Sequence, residues 1–166
     1  MGKNAELNFV RQQGLRDASL GACEVQYPAL MWQPRVIGLV VLVGLILQSA
    51  PIFIALAAIL WWNVVLPGLN PFDALYNWLI AKPGVRSVLA PSPLPRRFAQ
   101  GMAGSFMVGI GLSLLAGWHT LAWVLEGFLV VALAALIFGR FCLGSYLFLL
   151  VTGQGRFANK TLPWAR

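Results

Sequence analysis

Four apolar runs, residues 36–49, 52–66, 101–118 and 121–138, contain a single acidic or basic residue, Glu126. A proline-studded polar segment, residues 67–100, divides them into two pairs. Of the whole chain, 59% is hydrophobic and 10% charged, where an ordinary soluble domain carries about 25% charged residues. So few charges leave the apolar surface without polar cover, which makes lipid the fitting solvent. The fold class this dictates is an all-α integral membrane protein. Four transmembrane helices are expected as two helical hairpins, joined by a linker that carries a short interfacial amphipathic helix.

The division follows the chain. Residues 1–35 form a polar head with charges of both signs and no apolar core, unlike a cleaved leader. A short helix is open to residues 5–15. Tyr27-Pro28 and Gln33-Pro34 argue against helix just before the first run, because a residue preceding proline avoids the α region. Tyr27 and Trp32 stand where interfacial aromatics are expected.

Residues 36–66 form the first hairpin. One continuous helix of that length would reach about 46 Å, well beyond the hydrocarbon thickness, and Pro51 is a natural first-turn residue. In the linker, Asn70-Pro71-Phe72-Asp73 starts the interfacial helix, residues 71–81, with an N-cap, a first-turn proline and an early acid. Its apolar spacing suits a helix lying in the interface, or one capping the hairpins. Lys82-Pro83-Gly84 stops it. Residues 90–97, rich in proline, read as a stiff extended connector.

Residues 101–151 form the second hairpin. Ser105, Gly109 and Ser113 recur every four residues and suit close helix packing in lipid, so this helix is expected to be the central one. The fourth helix leaves the core near Gly139 and Arg140 and bends. Residues 152–166 are a solvated tail. All twelve Lys and Arg lie in the head, the linker, or at and beyond Arg140. The positive-inside rule then puts both termini and the linker in the cytoplasm of a bacterial inner membrane. Pro34-Arg35 and Pro95-Arg96, each before a hairpin, hint at a parallel repeat. The +7 charge flanks apolar runs without a basic stripe interleaved with aromatics, which argues against nucleic acid.

Chemistry-bearing residues are few, and no catalytic set or metal-ligand cluster is evident. Glu126 lies inside a span, where an ionisable group is costly and a functional candidate by default. His119, seven residues earlier, is a conceivable axial ligand to a haem or chlorophyll, although nothing supplies further ligands, and no cofactor is implied. Arg140 is expected to snorkel to the interface. Cys23 and Cys142 are far apart and in different surroundings, so no disulfide is supported. Cys142 and Ser145 share a helix face, and a second thiol at 145 would have made a redox pair.

The segment Pro91-Ser92-Pro93-Leu94-Pro95-Arg96-Arg97-Phe98-Ala99-Gln100, followed by Gly139-Arg140-Phe141-Cys142-Leu143-Gly144-Ser145-Tyr146-Leu147, resembles a bacterial membrane family, domain of unknown function 4395. The resemblance covers roughly residues 33–151. It implies thiol chemistry at paired cysteines, of which only Cys142 is present, with Ser145 in the partner's place. Three functions are carried forward. The first is a non-catalytic accessory subunit of a larger respiratory or photosynthetic membrane complex, with the bilayer and other subunits as partners. The others are a thiol-redox partner acting through Cys142, and a small transporter or proton-conducting unit using Glu126.

Overall fold

The computed structural model describes residues 2–81, 89 and 91–165. Among them all regular structure is helical: α1 (Gly2–Gln12), α2 (Leu20–Leu47), α3 (Ala50–Val65), a 3₁₀ turn (Pro67–Leu69), α4 (Pro71–Leu79), α5 (Leu94–Leu115), α6 (His119–Ile137), α7 (Leu143–Val151) and α8 (Gly155–Lys160). Three of these, α2, α5 and α6, are long and apolar enough to cross a membrane, and α3 is a shorter apolar helix.

The N-terminal boundary differs from expectation. Instead of an irregular approach ending at residue 35, α2 begins at Leu20, where the Ser19 side chain accepts the Ala22 N–H, and runs through both Pro28 and Pro34. Each proline removes one backbone hydrogen bond, a cost that apolar helices bear when neighbouring groups pack around the freed carbonyl. The preference of the preceding residue is overridden by burial, since Ala29, Leu30, Met31 and Gln33 all face the interior. Gln48 then adopts the left-handed conformation at φ 45°, and the Ser49 N–H bonds back to the Gly44 carbonyl. That closure ends α2 and turns the chain directly into α3, with Pro51 in its first turn.

The connector before the third run is corrected too. Ala90 lies outside the described residues, as does the expected stop at residues 82–84. Residues 94–97, however, are the first turn of α5, not extended chain. Pro95 sits within the first two positions of the helix, where no helical donor is needed. Pro34 lies deep in α2 and Pro95 in a first turn, so the two Pro-Arg pairs hold unlike positions and give a repeat no support.

α5 is the hub, packed on α3, α6 and α7. Its contact with α3 uses Gly104 and Gly111, whose missing side chains admit Trp61 and Ile54, with Met107 and Ile110 fully buried between. Gly109 meets Leu125 of α6. Of the expected small-residue series, Ser113 is buried and Ser105 exposed, and both hydroxyls bond back to carbonyls four residues earlier in α5. The helix is central as expected, but Gly104 and Gly111 make the close approach to α3.

α4 is tied to the bundle, as the capping alternative expected. Asn70 caps it by accepting the Phe72 N–H, and Phe72, Asp73 and Tyr76 are buried. Arg97 donates to the Val64 carbonyl at the end of α3, where orphan carbonyls need donors.

The termini are held by one another. Asn8 donates to the carbonyls of Leu162 and Ala165, Arg16 bonds to Gln154 and stacks on Phe157, and Ala158 and Thr161 are buried. The tail is therefore a packed element, α8 and its flanks, where a solvated end was expected. On α1, Lys3 pairs with Glu24 across the surface, and that hydrogen bond holds the ammonium above its ordinary range.

Candidate functional site

A cavity of about 200 Å³ lies among α1, α2, α3, α5, α6 and α7. Its walls are apolar, formed by Leu30, Ile37, Leu60, Phe106, Met107 and Leu133 among others. The lining extends to Phe128, which is 63% exposed, so the cavity reaches the outer face of the bundle. One part of the lining is polar: Gln13, Gln33, Arg96 and Gln100, all buried.

Local sequence builds this polar end. Asp73, in the first turn of α4, and Arg96, in the first turn of α5, make a bidentate ion pair, with Nη2 at 2.8 Å from Oδ1 and Nη1 at 3.3 Å from Oδ2. Their side chains are 8% and 6% exposed. Burying two charges is costly unless geometry and further hydrogen bonds compensate, and both are supplied. Asn70 donates to Asp73 Oδ2 at 2.9 Å, and Arg96 Nη2 also donates to Gln33 Oε1 at 2.6 Å. Gln100 Nε2 donates to the same oxygen at 3.0 Å and Asn70 at 3.4 Å. Three donors thus converge on one amide oxygen from α2. Left over are Gln33 Nε2, Gln100 Oε1 and Gln13 Nε2, buried and without partners. Buried polar atoms are nearly always paired, so three orphans around one cavity mark a place that an additional molecule or ordered water would complete.

Cys142 lines the same cavity. It stands at the N-cap of α7, and its N–H donates to Gln12 Oε1 at 2.8 Å. Cys23 and Cys142, expected in different surroundings, belong to one apolar cluster with Phe9, Leu30 and Met31; both are free thiols. Chain separation hid this, because α1 and the start of α2 fold back over the α6–α7 link. Ser145 is fully buried, and its hydroxyl donates to the Pro95 carbonyl at 3.2 Å. In place of a second thiol it pins α7 onto the first turn of α5. Arg140, with φ 54°, pairs with Glu6 at 3.2 Å and lies over the Tyr27 ring. It is a clamp between α1, α2 and the α6–α7 link, where snorkelling to the interface was expected.

Glu126 and His119 lie apart from this site. His119 is exposed at the start of α6. Glu126 is buried and accepts from Gln48 Nε2 at 3.2 Å on both oxygens. This bond fastens the α2–α3 turn to α6, which gives Glu126 a structural task. Glu126→Gln keeps an acceptor for Gln48 and is expected to unfold within about 1 kcal/mol of the parent, measured by chemical denaturation in detergent. A loss above about 3 kcal/mol would instead identify a paired buried charge.

No group of three or more His, Cys, Asp or Glu residues suited to a metal occurs among the described residues. Sequence reasoning missed Gln33, Gln100, Asp73 and Gln13, yet a signal existed: Gln33 and Gln100 are amides just ahead of apolar runs, Gln33 directly before Pro34-Arg35 and Gln100 three residues after the Pro95-Arg96-Arg97 triplet. The two segments quoted for the family resemblance, residues 91–100 and 139–147, both contribute to the cavity, through Arg96, Ala99 and Gln100 and through Cys142, Leu143 and Gly144.

No curated protein and no solved structure matches the chain. A family model, Domain of unknown function (DUF4395), matches residues 27–152, most of the sequence and all the cavity-lining helices except α1; the chain belongs to that family.

Proposed function

We propose that this is a membrane-embedded binding protein for a small amphipathic molecule. The molecule's polar head sits at Gln33, Arg96 and Gln100, and its apolar part fills the remainder of the cavity. In this reading α2, α3, α5 and α6 cross a bacterial inner membrane as two hairpins, with the Lys- and Arg-bearing termini and linker cytoplasmic. The observation that carries it is the set of unpaired buried amide atoms on an otherwise apolar cavity. Small-molecule sites have that makeup, apolar walls with a few convergent polar groups.

The test is native mass spectrometry of the full chain, extracted gently from the membrane, set beside Ala103→Phe, which fills the cavity from α5. The parent is expected to retain a stoichiometric small molecule and the variant to retain at least about tenfold less. A parent that carries nothing the variant lacks would sink the proposal.

A second reading, an accessory subunit of a larger respiratory or photosynthetic complex, draws on the bare flank of α6, where Trp123, Phe128 and Val131 are exposed. The intramolecular ties of the two termini take away one of its motives, since no partner is needed to hold them. Stoichiometric protein subunits in the same spectra would favour it. Thiol-redox action through Cys142 and proton conduction through Glu126 draw less support, from a cysteine without a second thiol at 145 and a carboxylate engaged by Gln48.

A further inference from the structure

The polar end of the cavity has a fixed hydrogen-bonding sense, and this restricts its occupant. Arg96 can only donate, and its guanidinium is held by the two contacts to Asp73. The Gln33 atom at 2.6 Å from Nη2 must therefore be the amide oxygen; turned over, the amide would set its NH₂ against the guanidinium. That oxygen faces Gln100 at 3.0 Å, so the Gln100 atom there must be the amide nitrogen. What the two side chains leave over is then defined: a donor, Gln33 Nε2, and an acceptor, Gln100 Oε1, both buried and unpaired. The charge is also defined. Arg96 is neutralised by Asp73, and no other Lys, Arg, Asp or Glu among the described residues lines the cavity.

We infer that the cavity takes an uncharged lipid head bearing a hydroxyl group, which donates to Gln100 Oε1 and accepts from Gln33 Nε2. This rests on the binding reading above and names its ligand class. The free hydroxyl of a diacylglycerol and the phenolic hydroxyl of a quinol are two membrane-soluble carriers of that chemistry. A phosphate or carboxylate head would bring an uncompensated charge into a site whose own charges cancel. A quinone, which accepts but cannot donate, leaves the Gln100 oxygen unpaired, a defect large enough to weaken binding about tenfold.

The test uses the purified full chain with four probes: dioctanoylglycerol, dioctanoyl phosphatidate, and a short-chain benzoquinol and its quinone under anaerobic conditions. Native mass spectrometry reads the bound fraction of each. One hydroxyl carrier is expected to bind at least about tenfold more tightly than its matched partner, diacylglycerol over phosphatidate or quinol over quinone, and the winning pair identifies the source. Gln100→Met removes the acceptor and is expected to reduce a quinol-over-quinone preference to less than about twofold; a diacylglycerol-over-phosphatidate preference, set by charge, is expected to persist while diacylglycerol itself binds about tenfold more weakly. Equal binding of all four, or a preference for phosphatidate, overturns the head-group inference while leaving a binding protein. Binding of none, by a protein whose circular dichroism remains helical, overturns both.

Discussion

Asp73→Ala is expected to destabilise the protein by about 3–5 kcal/mol, the largest effect of any single substitution in the site. The ion pair with Arg96 is nearly closed to solvent, and removing one partner strands the other charge in a buried, largely apolar setting. The loss spreads, because Asp73 also receives Asn70, the residue that caps α4. α4 should detach from α5 together with the Asn77 side chain, which brackets the backbone of Leu89. The double variant Asp73→Leu with Arg96→Leu removes both charges and is expected to recover most of the stability. Denaturation midpoints in detergent, followed by circular dichroism, check both. A single variant as stable as the parent would show that water reaches Arg96 and that the pair is not sealed.

Gly144→Ala is the second large effect, at about 1–3 kcal/mol. A Cβ at this position would stand 2.7 Å from both the Cα and the Cβ of Ala99. The obstacle is backbone, so α7 must move away from α5. That shift pulls Ser145 from the Pro95 carbonyl and opens the lining contributed by Cys142 and Leu143. Ala99→Gly removes only the Cβ half of the clash, so the double variant should regain part of the loss. A thermal melt of the two singles and the double supplies the interaction energy. An unperturbed Gly144→Ala would mean that α7 is free to slide.

The helices could be read from the sequence wherever the pattern was local. The break at Gln48–Ser49, the Asn70 cap, the central place of the third run and the end of α6 before Arg140 follow from apolar length, capping chemistry and turn residues. The misreadings came where packing overrode a local rule. Pro28 and Pro34 argue for a break, yet α2 passes through them because its inner face is buried against α1 and the cavity. Pro95 suggested an extended connector and is instead the first turn of α5. The polar site was the least legible part. Gln33 and Gln100 are separated by the whole first hairpin and the linker, Asp73 read as no more than a first-turn acid, and Arg96 as a flanking cation. A network that joins three helices has no period or spacing to give it away.

The preference of α3 for α5 over its chain neighbour α2 has a bearing on biogenesis. α3 leaves the ribosome well before its main partner does. Synthesis from Val65 to Leu115 takes about 3–10 s at ordinary rates of 5–20 residues per second. For that interval the face carrying Phe53, Leu56, Leu60 and Asn63, all buried in the finished bundle, has only α2 to pack on and lacks the helix that makes most of its contacts. At 16 residues, about 24 Å, α3 is also shorter than α2, α5 and α6, the three helices long and apolar enough to cross a membrane. Its final seating therefore waits on α5.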